Sequence, residues 1–156
     1  MNMKRRVFLK GTVASGAVAV AVGAGLLNPR QVLAAWPKSA FEAKSVSDVL
    51  NGIYESDLAP ASSDITVDAP DIAENGAVVP VTVTTSLSNV ESITILSEKN
   101  NTPLVATFNM TPAAEGYIST RIKMGQSSNV IAVVKADGKL HSARKEVKVT
   151  IGGCGG

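Results

Sequence analysis

From Asp64 onward the chain alternates apolar and polar residues. Val81 and Val83 are interleaved with Thr82 and Thr84, and Val147, Val149 and Ile151 with Glu146, Lys148 and Thr150. A period of two places successive side chains on opposite faces of an extended strand, so the chain must build sheets with a buried side. Seven segments read as strands: DITVDA, AVVPVTVTTS, VESITILSE, LVATFNM, GYISTRIKM, NVIAVVKAD and KLHSARKEVKVTI. Turn signals separate them at Asn75-Gly76, Lys99 to Pro103, Thr111 to Gly116, Gly125 to Asn129 and Asp137-Gly138. Asp-Gly between two strand patterns predicts a type I′ hairpin. Val130 to Val134 is apolar on both faces, as in a central strand. Pro80 has no N–H to give a ladder, which argues for an edge strand or a bulge. About seven short strands in about 90 residues predict a mainly β fold, an immunoglobulin-like antiparallel β-sandwich over residues 64–151. The cysteine pair and core tryptophan of antibody domains are absent, since Trp36 lies before the strands.

Ahead of the strands, SAFEAKSVSDVLNGIY carries a different period. Phe41, Val46, Val49, Leu50 and Ile53 fall largely on one helical face, and Ser39 with Glu42 forms a candidate capping box. One short helix is expected here, packed on the domain or on a partner. LAPASSD then reads as a linker, so residues 35–63 form a helix-and-linker segment.

The first 34 residues have another character. Arg5 and Arg6, followed by Phe8, Leu9 and Lys10, precede a weakly apolar run, Gly11 to Leu27, and a small-residue site at VLAAW. That is the layout of a bacterial twin-arginine export signal, with cleavage expected after Ala34 or Ala35. Export predicts a periplasmic protein with no membrane segment after cleavage. The formal charge of +2 belongs to the precursor: loss of Lys4, Arg5, Arg6, Lys10 and Arg30 leaves ten bases against thirteen acids, a balance of about −3. Nucleic-acid binding therefore lacks compositional support. The acids cluster early in the mature chain and the bases late (Arg121, Lys123, Lys135, Lys139, Arg144, Lys145 and Lys148), which suggests a basic face near the C-terminus that attracts anions. The twin-arginine route carries folded proteins, often because they hold a cofactor or a partner. One His and one Cys cannot build a typical metal site, and neither a haem motif nor a nucleotide loop is present. No cofactor is expected, and a pre-assembled partner subunit is the better reason for this route.

The last five residues, Gly152, Gly153, Cys154, Gly155 and Gly156, hold the sole cysteine of the chain. Glycine has no Cβ and allows nearly all backbone conformations, so this arm is thin and bears one functional group. A catalytic nucleophile needs fixed neighbours, which such an arm lacks. His141, the only histidine, reads as a surface residue rather than a general base. Cys154 is not fourth from the end, as prenylation requires, and no cysteine stands at the cleavage site, as a lipoprotein requires. A terminal Gly-Gly resembles that of ubiquitin-like carriers, but those need ATP, which the periplasm does not supply. Two readings remain: an arm inserted into other proteins, or an interaction domain joined by an inter-chain disulfide through Cys154.

The terminal GGCGG, the stretch RIKMGQSSNVIAVVKADGKLHSARKEVKVTIGGCGG and the earlier DIAENGAVVPVTV resemble the SoxY family, sulfur carriers of bacterial thiosulfate oxidation. The resemblance covers essentially the whole mature chain. It implies that Cys154 is the covalent attachment point for sulfur cargo and that residues 152–156 are a carrier arm without catalytic activity of its own. It also implies a heterodimer with SoxZ and transient docking to SoxXA, SoxB and SoxCD, with thiosulfate and related sulfur anions as cargo.

Overall fold

The computed structural model describes residues 38–150. The expected export signal, with Arg5, Arg6, Phe8 and Leu9, lies outside the described residues, as does the expected carrier arm with Gly152, Gly153, Cys154, Gly155 and Gly156.

The helical segment is two helices, α1 (Lys38–Glu42) and α2 (Val46–Tyr54), where the sequence suggested one. Ser45 makes the break. It is extended (φ −129°, ψ 156°), and its hydroxyl accepts the backbone N–H of Asp48 at 3.1 Å. Ser45 also donates to the Asp48 carboxylate at 2.6 Å. The N-cap pair is therefore Ser45 and Asp48. Ser39 lies inside α1, and Glu42 instead faces Lys38 at 3.6 Å. Helix α2 stops at Glu55, whose left-handed backbone (φ 55°) returns its N–H to Asn51. Gly52 lets the helices touch: a Cβ there would stand 3.0 Å from the Cβ of Ala40.

Eight strands follow among the described residues: β1 (Ile65–Asp68), β2 (Ile72–Ala73), β3 (Val79–Thr85), β4 (Val90–Ser97), β5 (Leu104–Asn109), β6 (Tyr117–Ile122), β7 (Ser128–Ala136) and β8 (Lys139–Val149). They form a three-stranded sheet, β1-β3-β6, and a five-stranded sheet, β2-β8-β7-β4-β5. The predicted sandwich is present. The additional strand, β2, is two residues long and pairs parallel to β8, too short to leave an alternating pattern.

Val79, Val81 and Val83 from one sheet and Ile93, Ile95, Val130, Val134 and Val147 from the other close the core between the sheets. On β4 and β7 the alternate residues Leu96, Ile131 and Val133 point away from that core and meet Ala40, Val49 and Leu50 of the helices. This accounts for the two apolar faces of Val130 to Val134: β7 lies between β4 and β8 and is covered on both sides.

Pro80 departs from the expectation of an edge strand, because β3 is the central strand of its sheet. Thr85 donates its N–H to Gly116 beside β6, and Ser86 donates to Asp64 beside β1. Donors alternate along a strand, so the nitrogen of Pro80 faces the β1 side. There β1 pairs only with Thr82 through Thr85. The missing N–H thus falls where no strand runs. The Asp137-Gly138 turn joins β7 to β8 with positive φ at both residues (48° and 70°), as a type I′ turn requires.

Candidate functional site

Strand β8 carries the chain toward the C-terminal arm, and its last residues are fixed on both sides. On one side Lys148 donates its N–H to Asp71 (3.0 Å), and Thr150 donates its N–H to Ala73 (3.1 Å). The Thr150 hydroxyl donates to the Glu74 carbonyl at 2.9 Å. On the other side the Val149 N–H donates to Ser127 Oγ at 2.8 Å. Val147 is fully buried and Val149 packs against the core, so the apolar set of β8 anchors the strand to the sheets. Ile151, assigned to the same set, lies outside the described residues.

Two further segments close around this root. The Asn100 side chain joins the turn after β4 to the segment after β6: Nδ2 donates to the Lys123 carbonyl (2.7 Å), and Oδ1 accepts from the Gly125 N–H (2.9 Å). Gln126 Nε2 donates to the Lys99 carbonyl at 2.9 Å. The Met124 N–H donates to the Gly76 carbonyl at 2.7 Å, which ties in the segment after β2. Residues 71–78, 99–103 and 123–127 thus form a hydrogen-bonded collar at the end of the sandwich where β8 finishes. The turn signals at Lys99 to Pro103 and Gly125 to Asn129 place two of these segments in loops. Nothing in a single sequence says that Asn100 and Gln126 would bridge them.

The late bases fall into separate groups rather than one face. Lys135 pairs with Glu91 at 2.8 Å and, with Lys139, lies toward the β7–β8 hairpin, away from the arm. Lys145 is held by Asp71. That hydrogen bond, more than the charge itself, lowers the Asp71 carboxyl below its usual range and raises Lys145. Arg121 lies opposite Pro80 on the three-stranded sheet. Arg144 and Lys148 line one depression with Lys145 and Asp71, and Lys123 lines another with Lys99.

His141 is half-buried on β8, paired with Val134. Nine residues separate it from Thr150, roughly 30 Å of strand, whereas the four residues from Thr150 to Cys154 span about 14 Å at most. His141 therefore cannot reach the thiol within one chain. Among the described residues no group of three or more His, Cys, Asp or Glu side chains could hold a metal ion, and no helix is long and apolar enough to cross a membrane.

Residues 51–154 match the family model of the sulfur oxidation protein SoxY. The chain belongs to the SoxY family. The match begins within α2, takes in all eight strands and ends on Cys154. The solved structure of the sulfur carrier protein SoxY from Chlorobium limicola f thiosulfatophilum is 40% identical, with a TM-score of 0.63, and the alignment covers 74% of this chain and 100% of that one. A variant of superoxide reductase (neelaredoxin) from Ignicoccus hospitalis, 21% identical with a TM-score of 0.50, aligns over 57% of this chain and 82% of its own. A second variant of that protein, 19% identical, has the same TM-score of 0.50. These two share the sandwich fold alone. No curated protein matches the chain. Thr150, the last described residue tied to the collar, stands four positions before Cys154 in the sequence.

Proposed function

We propose that this chain is a periplasmic sulfur carrier that holds its cargo covalently on Cys154 while other Sox proteins act on it. The observation that carries this reading is the anchoring of β8 through Thr150, followed in the sequence by a glycine-flanked cysteine at which the family match ends. A rooted tether keeps a reactive intermediate near each enzyme and raises its effective concentration there. A soft thiolate is the natural handle for sulfur. An unperturbed cysteine ionises near pH 8.5, roughly, so the thiol needs activation by the receiving enzyme.

In the cycle implied by the family, SoxXA joins thiosulfate to the thiol. An S–S bond forms between Cys154 Sγ and the sulfane sulfur, the thiol proton is released, and an electron pair leaves through SoxXA. SoxB adds water across the terminal sulfur–sulfur bond, releasing sulfate and a proton and leaving a persulfide. SoxCD oxidises the persulfide's outer sulfur to a sulfonate, with oxygen atoms from water and electrons leaving through SoxCD. A second hydrolysis by SoxB frees sulfate and restores the thiol. The chain contributes the attachment atom and its tether, and SoxZ is its stable partner. Export in the folded state through Arg5 and Arg6 would carry both subunits.

The decisive test is Cys154→Ser. The variant should fold normally and reduce thiosulfate oxidation in a reconstituted system to background. Intact mass spectrometry of the wild-type chain under turnover should show reductant-labile sulfur adducts on Cys154. Normal turnover by the serine variant would sink the carrier reading.

A further inference from the structure

The collar has a surface chemistry that its structural role does not require. Lys99 and Lys123 flank a depression that also includes Asn101, Leu104 and Gln126. Both lysines are exposed, and neither forms an ion pair among the described residues. The nearby acids are largely engaged. Asp71 is held by Lys145, and the Glu98 carboxylate accepts from Asn129 Nδ2 at 2.8 Å. Glu74 stays exposed at the rim of the collar.

Two aliphatic side chains on the same collar are also exposed. Ile72 is 58% accessible, opposite Lys148, and Val78 is 55% accessible, one residue before the Val79–Ile122 pair and hence beside Lys123. In the order β2-β8-β7-β4-β5, Ile72 on β2 stands at the opposite edge of the sheet from the β4–β5 turn that carries Lys99, so of the two only Val78 lies with the basic pair, beside Lys123.

We infer that this collar is a docking surface for the enzyme that receives the arm, and that it recognises an acidic rim around that enzyme's entrance, with Lys99 and Lys123 as the basic contacts and Val78, beside Lys123, as the apolar one. The inference rests on the carrier reading of Cys154 and adds to it a second point of contact. A four-residue tether spans about 14 Å, so an enzyme that draws in Cys154 must bring its entrance against the collar. Opposite charge there raises the encounter rate and is screened by salt.

The test uses the full chain with its partner subunit, loaded on Cys154 by exchange with tetrathionate, which leaves –S–SO3⁻ on Sγ and releases thiosulfate and a proton, and purified SoxB, with sulfate release as the readout. The double variant Lys99→Glu/Lys123→Glu should lose about tenfold in kcat/KM at low ionic strength, chiefly through KM, and should approach wild type as salt is raised. Its thiol should react with a small labelling reagent at the wild-type rate. The milder Lys99→Gln/Lys123→Gln should show a smaller loss with the same salt dependence. Lys139→Glu, at the opposite end of β8, should stay within about twofold of wild type. Wild-type turnover by the double glutamate variant, or an equal loss in Lys139→Glu, would overturn the docking surface. Cys154→Ser run alongside separates the two ideas: an inert serine variant with an unaffected double variant removes the docking surface and leaves the carrier standing.

Discussion

The two outer faces of the sandwich come from the same alternating pattern but meet different surroundings. The outer face of the five-stranded sheet carries Leu96, Ile131 and Val133, each 5% exposed or less, beneath α1 and α2. The outer face of the three-stranded sheet carries Thr66, Thr84, Ser119 and Arg121, all exposed, with Thr82 half-buried and hydrogen-bonded to Ser119. A strand wet on one side needs only a half-pattern of valines, as in Val79, Val81 and Val83. A strand covered on both sides needs the continuous run seen from Val130 to Val134. Two short helices, too small to be stable alone, account for that difference.

The largest expected effect follows directly. Leu96→Ala, under the helices, should cost about 3 kcal/mol of unfolding free energy. Thr82→Ala, on the outer face of the other sheet, should cost less than about 0.5 kcal/mol. Urea titration of the two variants measures both. Equal costs would mean that the helices bury their face only nominally, and the contrast between the faces would collapse.

A smaller effect concerns how the helices are held. The Tyr54 hydroxyl lies 3.0 Å from Ser92 Oγ and 2.7 Å from Thr94 Oγ1, and Thr94 also meets Thr107 Oγ1 at 2.9 Å. These are polar positions on the covered face of β4, and Thr94 is fully buried. Tyr54→Phe removes one partner from that group and should cost about 1 kcal/mol. Amide exchange should quicken in α2 while β3 and β6 keep their protection. Uniform loss of protection would show that both faces unfold as one unit and would blur the comparison.

What the sequence made legible follows the same division. Period two marked the β3, β4, β7 and β8 patterns because each strand buries at least one regular face. The doubly apolar run in β7 announced cover on both sides, though not that helices provide it. β2 escaped notice because two residues carry no period. The helical segment reads as continuous because Phe41, Val46, Val49 and Leu50 keep roughly one face, and only the hydroxyl of Ser45, turned toward the Asp48 N–H, breaks it. The terminal Gly-Gly-Cys-Gly-Gly, outside the described residues, is legible only as a glycine-flanked cysteine. The collar around its root is not, since it depends on Asn100 and Gln126 bridging segments more than 20 residues apart.

The smallest effect belongs to the seam between the sheets. Lys145 shares the core-facing parity of Val147 but lies at the rim, where Asp71 accepts its hydrogen bond and Asp68 of β1 adds a weaker attraction. The Asp71 carboxyl is lowered in the folded chain, so its stabilising contribution is present above the unfolded carboxylate value and is lost as pH falls through the folded value. Lys145 is raised, so its contribution is present below the unfolded lysine value and is lost as pH rises through the folded one. The pair therefore acts across the neutral range and fades at both extremes. With 84% of the Asp71 side chain and 38% of the Lys145 side chain exposed, solvent and salt screen it strongly. Asp71→Asn should flatten the acid limb of the stability–pH curve slightly at low salt and match wild type at high salt. A large, salt-resistant loss would mean that this ion pair holds β2, and with it the root of the arm, more firmly than the backbone hydrogen bonds from Lys148 and Thr150.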